Sequence, residues 1–272
     1  MKDASHLKSI VKEKYAKIAV ESSPKDSQSC GCGCGGDYTN DLMMIQDEYH
    51  QVDGYVAEAD LGLGCGLPTQ YAQLKKKDTV IDLGSGAGND VFIVSSIVGK
   101  EGKVIGIDMT QEMIDKSVLN NNRLGYKNVE FRLGDIENIP VENDSADIVV
   151  SNCVLNLVPD KIKAFNEIYR ILKPGGHFCI SDIVTKGLLP EEMRHSAELY
   201  VGCVAGAVKN EDYLKIVEES GFENVVTHSQ KEINLPADML TELLDEGQQR
   251  RLKNKEYGIY SVTLSAYKPS IN

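Results

Sequence analysis

The sequence predicts an α/β fold in which a mostly parallel sheet is flanked by helices. Two observations predict it: short β-branched runs alternate with segments of helical periodicity, and a glycine-rich loop follows the first such run. Parallel strands must be joined by a crossover, usually a helix, so this alternation is typical of a parallel sheet.

Five strands are predicted in the middle of the chain. They are expected at 79–84, 103–108, 128–135, 146–152 and 175–184. Helices are expected at 90–98, around 113–118 and at about 160–172. Apolar residues recur at helical spacing from Leu7 to Ala19, which predicts a packing helix, and another helix is expected at 41–48.

The composition excludes several classes of partner. The chain carries 29 basic and 41 acidic side chains, and its net charge of −12 repels nucleic-acid phosphates. No apolar run approaches the roughly 20 residues that span a bilayer, and the charged N-terminus does not resemble a signal peptide. We therefore expect a cytoplasmic protein that binds neither nucleic acid nor membrane. Its seven cysteines are expected to be thiols rather than a disulfide framework.

Acidic residues and glycines at the ends of three predicted strands indicate a nucleoside site. The first strand runs into the loop 82–88, Asp-Leu-Gly-Ser-Gly-Ala-Gly, whose glycines permit close backbone approach to a ligand. The second ends in Asp108, where a carboxylate can accept hydrogen bonds from both ribose hydroxyls. The third ends in Asp135, which is placed to accept from an adenine amino group while Ile136 covers the ring.

Three cysteines lie beside this predicted site. Cys65 precedes the first strand, Cys153 follows the fourth, and Cys203 lies beyond the fifth. Each of them is also compatible with a small buried core residue, which is the role expected for Cys179 inside the fifth strand. A thiol at the carboxyl end of a strand, next to the predicted ligand, instead suits a soft, thiophilic centre.

Three further cysteines lie in the stretch Ser-Cys-Gly-Cys-Gly-Cys-Gly-Gly at 29–36. Single glycines separate Cys30, Cys32 and Cys34, whereas structural zinc sites use four ligands and wider spacing. The alternating glycines predict a flexible arm. Two interpretations remain open: an arm for redox chemistry and substrate capture, or a dispensable thiol tail.

Several motifs resemble those of a known enzyme family. The D-L-G-x-G-x-G loop, Asp108 and the Gly-Asp-Ile at 134–136 resemble a class I S-adenosylmethionine-dependent methyltransferase over roughly residues 75–185. This resemblance implies a Rossmann-like, seven-stranded sheet with an antiparallel final hairpin, which 222–228 and 258–267 are able to supply. The ordered segments LGLGCGLP, IDLGSGAGND, GIDMT, SNCVLNLVPDK, LKPGG and CVAGA resemble arsenite methyltransferases over most of the chain.

The resemblance to arsenite methyltransferases implies roles for individual cysteines. Cys153 and Cys203 match the family's arsenic ligands, and Cys65 matches its third catalytic cysteine, which works with one nearer the N-terminus. Cys34 is nearest in sequence to that N-terminal position. The expected catalytic residues are therefore Cys34, Cys65, Cys153 and Cys203, with trivalent arsenic held by Cys65, Cys153 and Cys203. Some relatives have an acidic residue before the last cysteine, where this chain has Gly202.

The resemblance also implies a cofactor and partners. S-adenosylmethionine is the expected co-substrate, arsenite and methylarsenite are the substrates, and thioredoxin or glutathione is the reductant of a monomeric enzyme. Asn152 is either a strand-end cap or a donor to the methionine moiety, and Met109 is either a core residue or, as the resemblance allows, a residue that flanks the adenine. The expected cofactor-binding residues are Asp82, Gly84, Ser85, Gly86, Gly88, Asp108, Met109, Asp135, Ile136 and Asn152.

The expected mechanism uses the thiols and the cofactor alone. Thiolates displace the hydroxyls of arsenite, and the arsenic lone pair then takes the methyl group, so no general base is needed. A cysteine pair, Cys65 with an N-terminal cysteine, closes to a disulfide and supplies electrons to arsenic. A lowered thiol pKa would favour capture of arsenite, because the thiolate is the form that binds it. A nearby cation would lower that pKa, but the sequence shows none beside the cysteines.

Two other functions remain open. A carbon or oxygen methyltransferase of the quinone-biosynthesis type shares the core and the L-K-P-G-G turn, but it needs no thiols. A non-catalytic thiol protein that binds soft metals has no use for the nucleoside motif.

Three zones are expected along the chain. Residues 1–70 would form an N-terminal helix, a flexible cysteine-rich arm and a cap. Residues 71–185 would form the S-adenosylmethionine-binding core, and 186–272 an arsenic-binding segment that completes the sheet.

Overall fold

A computed structural model describes residues 4–21, 49, 51–195, 204 and 206–270 of the chain. Cys30, Cys32, Cys34 and Cys203 lie outside these residues, as does the helix expected at 41–48. Within the described ranges, no helix has the length and apolar character needed to cross a membrane.

Seven strands form one sheet. They are β1 (Thr79–Leu83), β2 (Lys103–Asp108), β3 (Val129–Leu133), β4 (Ala146–Asn152), β5 (Leu172–Lys186), β6 (Glu223–Glu232) and β7 (Gly258–Tyr267). Their order across the sheet is β3-β2-β1-β4-β5-β7-β6. Strands β1 to β5 are parallel, and β7 runs antiparallel between β5 and β6. The expected sheet with an antiparallel final hairpin is confirmed.

Helices follow the strands as the periodicity predicts. They are α1 (Ala4–Glu21), α2 (Pro68–Tyr71), α3 (Asn89–Val98), α4 (Gln111–Leu124), α5 (Lys161–Ile171), α6 (Glu191–His195), α7 (Asn210–Glu219), α8 (Ala237–Leu243) and α9 (Glu246–Lys253). A single 3₁₀ turn (Leu155–Leu157) connects β4 to α5. Helix α5 begins where the Asp160 side chain accepts from the Lys163 N–H at 2.9 Å, which satisfies an otherwise unpaired donor of the first turn.

Several strand boundaries differ from the sequence expectation: β5 begins at Leu172 rather than at residue 175, and β3 and β5 also end elsewhere than expected. Strand β3 ends at Leu133 rather than at residue 135 because Asp135 turns the chain. Its Oδ1 accepts from the Glu137 N–H at 2.9 Å, and its backbone pairs with that of Asn138. Strand β5 extends past the expected residue 184 to Lys186 because it keeps pairing with β7 to that point.

Aromatic rings fill the core between α5, α7 and the sheet. The ring of Phe165 packs edge-on against Tyr213 and Phe222, with centroids 5.6 Å and 6.4 Å apart. Cys179 of β5 is fully buried among apolar side chains that include Val80. Burial raises the pKa of its thiol to about 12, so Cys179 is a core residue as expected.

The sheet topology brings distant chemical groups to one edge. Strand β1 pairs with β2 on one side and β4 on the other, so Leu83 lies in register with both Ile107 and Ser151. The residues that follow these three strands therefore meet at the switch point, where open α/β sheets bind ligands.

Candidate active site

A pocket of about 1090 Å³, counted with its open mouth, lies at the carboxyl ends of β1, β2 and β4. Every expected cofactor residue except Gly88 lines this pocket, and so does Cys153. A Cβ at Gly88 would lie 2.9 Å from Phe92 and 3.0 Å from Phe131, so this glycine permits close packing behind the loop. The nucleoside site predicted from the strand ends and one predicted arsenic ligand thus share a cavity.

The glycine loop after β1 turns tightly because its glycines adopt left-handed backbone conformations. Gly84 and Gly86 have φ angles of +72° and +51°. The N–H groups of Gly84 and Ser85 donate to the Ile107 carbonyl at 2.7 Å and 3.0 Å, which ties the loop to β2. A Cβ at Gly84 would overlap the side chain of Val154, whereas a Cβ at Gly86 would meet nothing within 4 Å. Gly86 therefore borders open space in the pocket.

Asp108 ends β2 with its carboxylate directed at the glycine loop. Its Oδ2 accepts from the Gly86 N–H at 3.0 Å, and its Oδ1 accepts from the Thr110 N–H at 2.8 Å. Burial raises the pKa of this carboxyl, while the hydrogen bonds from Thr110 and Gly86 oppose the rise. The Thr110 hydroxyl and the Met109 N–H oppose the rise as well, and Asp108 lines the pocket.

Helix α1 contacts the third predicted acid, Asp135. Lys8 Nζ donates to Asp135 Oδ2 at 2.6 Å and lies 2.9 Å from a carboxylate oxygen of Glu137. Burial acts to raise the pKa of Asp135, but its hydrogen bonds from Lys8 and Glu137 outweigh burial and the pKa is lowered. Lys8, Val11 and Tyr15 also line the pocket. Helix α1 therefore forms a wall of the pocket, a role that its periodicity alone did not indicate.

The side chains that line the pocket fit S-adenosylmethionine. Asp60, Asp82, Asp90, Asp108 and Asp135 contribute carboxyl groups, and Lys8 is the only cation among the described residues that line it. A concentration of acidic groups favours a ligand with positive charge, which S-adenosylmethionine carries on its sulfur and its amino group. The open space beside Gly86 leaves room for such a ligand against the loop.

Cys153 follows β4 in a strained backbone conformation. Its φ angle of +61° lies in the left-handed region, which costs a non-glycine residue about 1–2 kcal/mol. Its N–H donates to the Ser181 carbonyl at 2.8 Å, and the residue is buried although it lines the pocket. Such strain persists where the surroundings impose it and is concentrated at functional sites.

Cys65 comes from the loop before α2 and is held beside the sheet. It is 1 % exposed, and its carbonyl accepts a hydrogen bond from Ser261 Oγ of β7. Cys65 and Cys153 belong to one buried cluster, here named the thiol cluster. Its members are Val11, Cys65, Cys153, Leu157, Ile183, Leu189, Met193, Val204, Leu235, Met239, Leu244, Tyr257 and Ile259.

The two other predicted catalytic cysteines lie outside the described residues. Val204, which follows Cys203 in the sequence, is fully buried in the thiol cluster. Cys34 belongs to the N-terminal stretch, of which the nearest described residues are Glu21 and Tyr49. Of the four predicted catalytic cysteines, the structure therefore describes Cys65 and Cys153 and brings them together.

Asn152 is the centre of a buried hydrogen-bond network at the end of β4. Its Nδ2 donates to the Tyr49 hydroxyl at 2.5 Å, and that hydroxyl donates to both carboxylate oxygens of Asp90 at 3.0 Å. Burial, followed by the charge of Asp90, raises the pKa of Tyr49, so its hydroxyl keeps the proton. Burial also raises the pKa of Asp90 to about 6. Neither Tyr49 nor Asp90 was among the expected site residues: Tyr49 lies in no recognised segment, and Asp90, which ends the segment IDLGSGAGND, was expected only to begin a helix.

Tyr213 of α7 is hydrogen-bonded to a buried carboxyl group of β5. Its hydroxyl donates to Asp182 Oδ2 at 2.9 Å. Burial raises the pKa of Tyr213, with further contributions from Asp182 and from the thiols of Cys65 and Cys153. Burial also raises the pKa of Asp182 to about 7, and the charge of Lys161 opposes that rise.

Lys161 is a cation near this carboxyl that the sequence did not reveal. Its Nζ donates to the carbonyls of Asn156, Val158 and Gly206, each at 3.1 Å. It therefore ties the loop after Cys153 to the segment around Gly206. Burial lowers the pKa of its ammonium group, and Asp182 acts in the opposite direction.

Comparison with known proteins identifies the family. Residues 74–221 match the model of a family described as a methyltransferase domain. The arsenite methyltransferase of Halobacterium salinarum is 39% identical, over 99% of this chain and 68% of its own length. The arsenite methyltransferase of Aquipseudomonas alcaligenes is 32% identical, over 87% of this chain and 68% of its own length.

A solved structure agrees with these sequence relatives. The crystal structure of an arsenic (III) S-adenosylmethionine methyltransferase from Chlamydomonas reinhardtii superposes with a TM-score of 0.64 at 29% identity. The match covers 87% of this chain and 75% of that structure. The fold is thus the Rossmann-like methyltransferase fold that the motifs implied, and this chain belongs to the arsenite methyltransferase family.

Proposed function

We propose that this protein transfers methyl groups from S-adenosylmethionine to trivalent arsenic held by cysteine thiolates. The observation that carries the proposal is the position of Cys153, which lines the nucleoside pocket and also belongs to the thiol cluster with Cys65. Thiolates bind soft centres such as trivalent arsenic. An arsenic atom bound to the Cys153 thiolate would therefore lie next to the pocket that fits the methyl donor.

Residues of the pocket are assigned to parts of the cofactor. Asp108 accepts from the ribose hydroxyls, Asp135 accepts from the adenine amino group, and Ile136 and Met109 lie against the ring. The glycine loop 82–88, including Gly88, lies against the cofactor. Asn152 lies at the methionine end of the cofactor. When bound, S-adenosylmethionine supplies an electrophilic methyl group on a positively charged sulfur.

Capture of the substrate exchanges oxygen for sulfur around arsenic. Arsenite is the neutral hydroxide As(OH)₃ near pH 7, and each cysteine thiol replaces one hydroxyl with release of one water. The ligands proposed are Cys65, Cys153 and Cys203. Three As–S bonds leave the arsenic lone pair exposed, so the protein has only to align that lone pair with the methyl group, which is a proximity effect.

Methyl transfer oxidises arsenic, so each turnover needs a reductant. The lone pair forms the As–C bond while the S–CH₃ bond of the donor breaks and its electron pair stays on sulfur, so S-adenosylhomocysteine leaves and trivalent arsenic becomes pentavalent. A thiolate then attacks one arsenic-bound sulfur: an S–S bond forms, an As–S bond breaks, and the electron pair returns to arsenic. Cys65 with Cys34 is the pair proposed to close, and thioredoxin or glutathione reopens it by thiol–disulfide exchange. Methylarsenite is the product and the next substrate, and the enzyme acts as a cytoplasmic monomer.

The proposed function is tested by following a labelled methyl group. The purified protein is incubated with methyl-labelled S-adenosylmethionine, a thiol reductant and either arsenite or a quinone precursor. Label in methylated arsenic species is expected, and Cys153→Ser should reduce it about 100-fold or more because the acceptor is no longer aligned. Cys179→Ser, which changes a thiol of the core, is the matched control and should retain transfer.

Two outcomes would contradict the proposal. Label in the quinone with none in arsenic would indicate a carbon or oxygen methyltransferase. Tight arsenic binding without transfer, in a protein that binds S-adenosylmethionine, would indicate sequestration of a soft metal instead of catalysis.

A further inference from the structure

We propose that Asn152 is a positioning residue that fixes the separation of the Cys65 and Cys153 thiols. This inference rests on the proposed function, because that separation matters only if one arsenic atom binds both thiols. Asn152 directly precedes Cys153 in the chain. The Asn152 side chain holds the loop of Cys65, so this loop is fixed relative to the Cys153 thiol.

The amide of Asn152 binds the backbone on both sides of the Cys65 side chain. Its Oδ1 accepts from the Cys65 N–H at 3.0 Å, and its Nδ2 donates to the Gly66 carbonyl at 2.8 Å. These two contacts need one acceptor and one donor in the same planar group. A carboxylate of the same shape has no donor, so Asn and not Asp suits the position.

Glycines beside Cys65 allow the loop to approach this closely. A Cβ at Gly64 would lie 2.8 Å from Asn152 Nδ2, and a Cβ at Gly66 would overlap the Ser181 side chain. Neither glycine is among the described glycines with positive φ. Their role is therefore close approach to the neighbouring strands and not an unusual backbone conformation.

Tyr49 and Asp90 fix the orientation of the amide. The second N–H of Asn152 Nδ2 donates to the Tyr49 hydroxyl at 2.5 Å, and Tyr49 donates to Asp90. With one N–H on Tyr49 and the other on Gly66, the amide has no donor left for a methionine moiety. The sequence left two roles open for Asn152, a strand-end cap and a donor to the methionine moiety. The contacts favour the cap, whose hydrogen bonds reach the loop of Cys65.

The experiment isolates this thiol pair within the full chain. Cys30, Cys32, Cys34 and Cys203 are replaced by Ser, which leaves Cys65, Cys153 and the core thiol Cys179. Phenylarsine oxide, which bonds two thiols, is the probe of their separation, and iodoacetamide, which reacts with one, reports each thiol alone. The parent is compared with Asn152→Asp, Tyr49→Phe and Gly64→Ala. The exposed Asn122→Asp on α4 is the matched control.

The proposal predicts a loss of dithiol binding without a loss of reactive thiols. Asn152→Asp should weaken phenylarsine oxide binding about 10-fold or more, because a hydrogen-bond donor is replaced by a charge facing the Gly66 carbonyl. Tyr49→Phe should weaken it about 3-fold, and Gly64→Ala should act in the same direction. Alkylation of Cys65 and Cys153 should be no slower than in the parent, and Asn122→Asp should match the parent in both assays.

Unchanged dithiol binding by folded Asn152→Asp and Tyr49→Phe proteins would overturn the inference. If Asn152→Asp does not fold, as judged by its thermal unfolding, Tyr49→Phe and Gly64→Ala decide the question in the same way. A parent that binds no phenylarsine oxide would also overturn the inference, because the two thiols would then be too far apart. Arsenite methylation by the unmodified chain is measured separately, so failure of this inference is distinct from failure of the proposed function.

Discussion

The nucleoside pocket and the thiol cluster meet at Cys153, but they are held in place by different forces. Carboxylates and a glycine loop at the ends of adjacent parallel strands, within residues 82–136, form about half of the pocket's lining. The thiol cluster takes its members from α1, the Cys65 loop, the end of β4, β5, α6, the segment at Val204, α8 and β7. The hydrogen-bond ladder of the sheet sets the first region, whereas individual side-chain contacts set the second.

This difference implies that the two regions are separable by mutation. Loss of a carboxylate from the pocket should weaken binding of the methyl donor and leave arsenite binding by the thiols intact. Loss of a contact in the thiol cluster should weaken arsenite binding and leave binding of the methyl donor intact. Val11, Cys153 and Leu157 belong to both regions and should affect both, and so should Val154, which lines the pocket and directly follows Cys153 in the chain.

The largest effect on the pocket is expected from Asp108→Asn. The substitution keeps the shape but replaces the carboxylate that faces Gly86 and Thr110. Hydrogen bonds to a charged group contribute about 1.5–3 kcal/mol, so S-adenosylmethionine should bind about 10- to 100-fold more weakly by calorimetry. Arsenite binding by the same protein should stay within about twofold of wild type, since this carboxylate is not part of the thiol cluster. Parallel losses for both ligands would contradict the separation.

Gly84→Ala should instead disturb both regions. The added Cβ would overlap Val154, and an alanine would have to adopt a left-handed backbone conformation. The free energy of unfolding should therefore fall by about 1–3 kcal/mol in denaturant titrations. Displacement of Val154 should also weaken arsenite binding at the neighbouring Cys153. Gly86→Ala is the matched comparison, because it has the same left-handed strain but open space around the Cβ. If Gly86→Ala weakens arsenite binding as much as Gly84→Ala does, the contact with Val154 is not the cause.

The buried carboxyl of Asp182 should make stability depend on pH. Burial raises its pKa in the folded protein to about 7, against an ordinary value of 3.8, and the charged partner that faces it is Lys161. The folded state thus holds a proton between about pH 4 and pH 7 that the unfolded chain has released, so this group's contribution to stability falls as pH rises through that window. Asp182→Asn should flatten the fall in unfolding free energy measured from about pH 4 to pH 7. The exposed Asp212→Asn should leave the slope unchanged, and a slope unaltered by Asp182→Asn would refute the assignment.

The smallest effect is expected from Lys8→Met. Lys8 pairs with Asp135, a partly exposed carboxylate, and such pairs contribute about 0–1 kcal/mol. S-adenosylmethionine affinity should therefore change by less than about fivefold, more at low salt than at high salt. A loss that is large and independent of salt would show that α1 holds the pocket through its apolar contacts or that it contacts the ligand directly.

The sequence was informative wherever function depends on neighbours in the chain. The strands β1, β2, β4 and β5, the glycine loop and Asp108 follow from local periodicity and from the rule that ligands lie at strand ends. The antiparallel β6–β7 pair came from the family resemblance rather than from a local signal. Even here Asp135 was placed in a strand, although its own side chain turns the chain by accepting from the Glu137 N–H.

Contacts between distant segments could not be predicted in this way. The Lys8–Asp135 pair joins residues 127 positions apart, and the Asn152–Cys65 contact joins residues 87 apart. Lys161 ends the recognised segment SNCVLNLVPDK, yet its three carbonyl acceptors depend on how the loop folds back towards Gly206. A single sequence carries no periodicity for such contacts, because they depend on the packed arrangement of whole elements.

The coordination of bound arsenic tests the central claim most directly. Arsenic X-ray absorption of the arsenite complex reports the number of sulfur and oxygen neighbours, with and without S-adenosylmethionine. The account predicts arsenic bonded to sulfur in the wild-type protein, with fewer sulfur neighbours in Cys153→Ser and no change in Cys179→Ser. Arsenic that keeps its oxygen neighbours in the wild type, or a Cys153→Ser spectrum identical to that of the wild type, would contradict it.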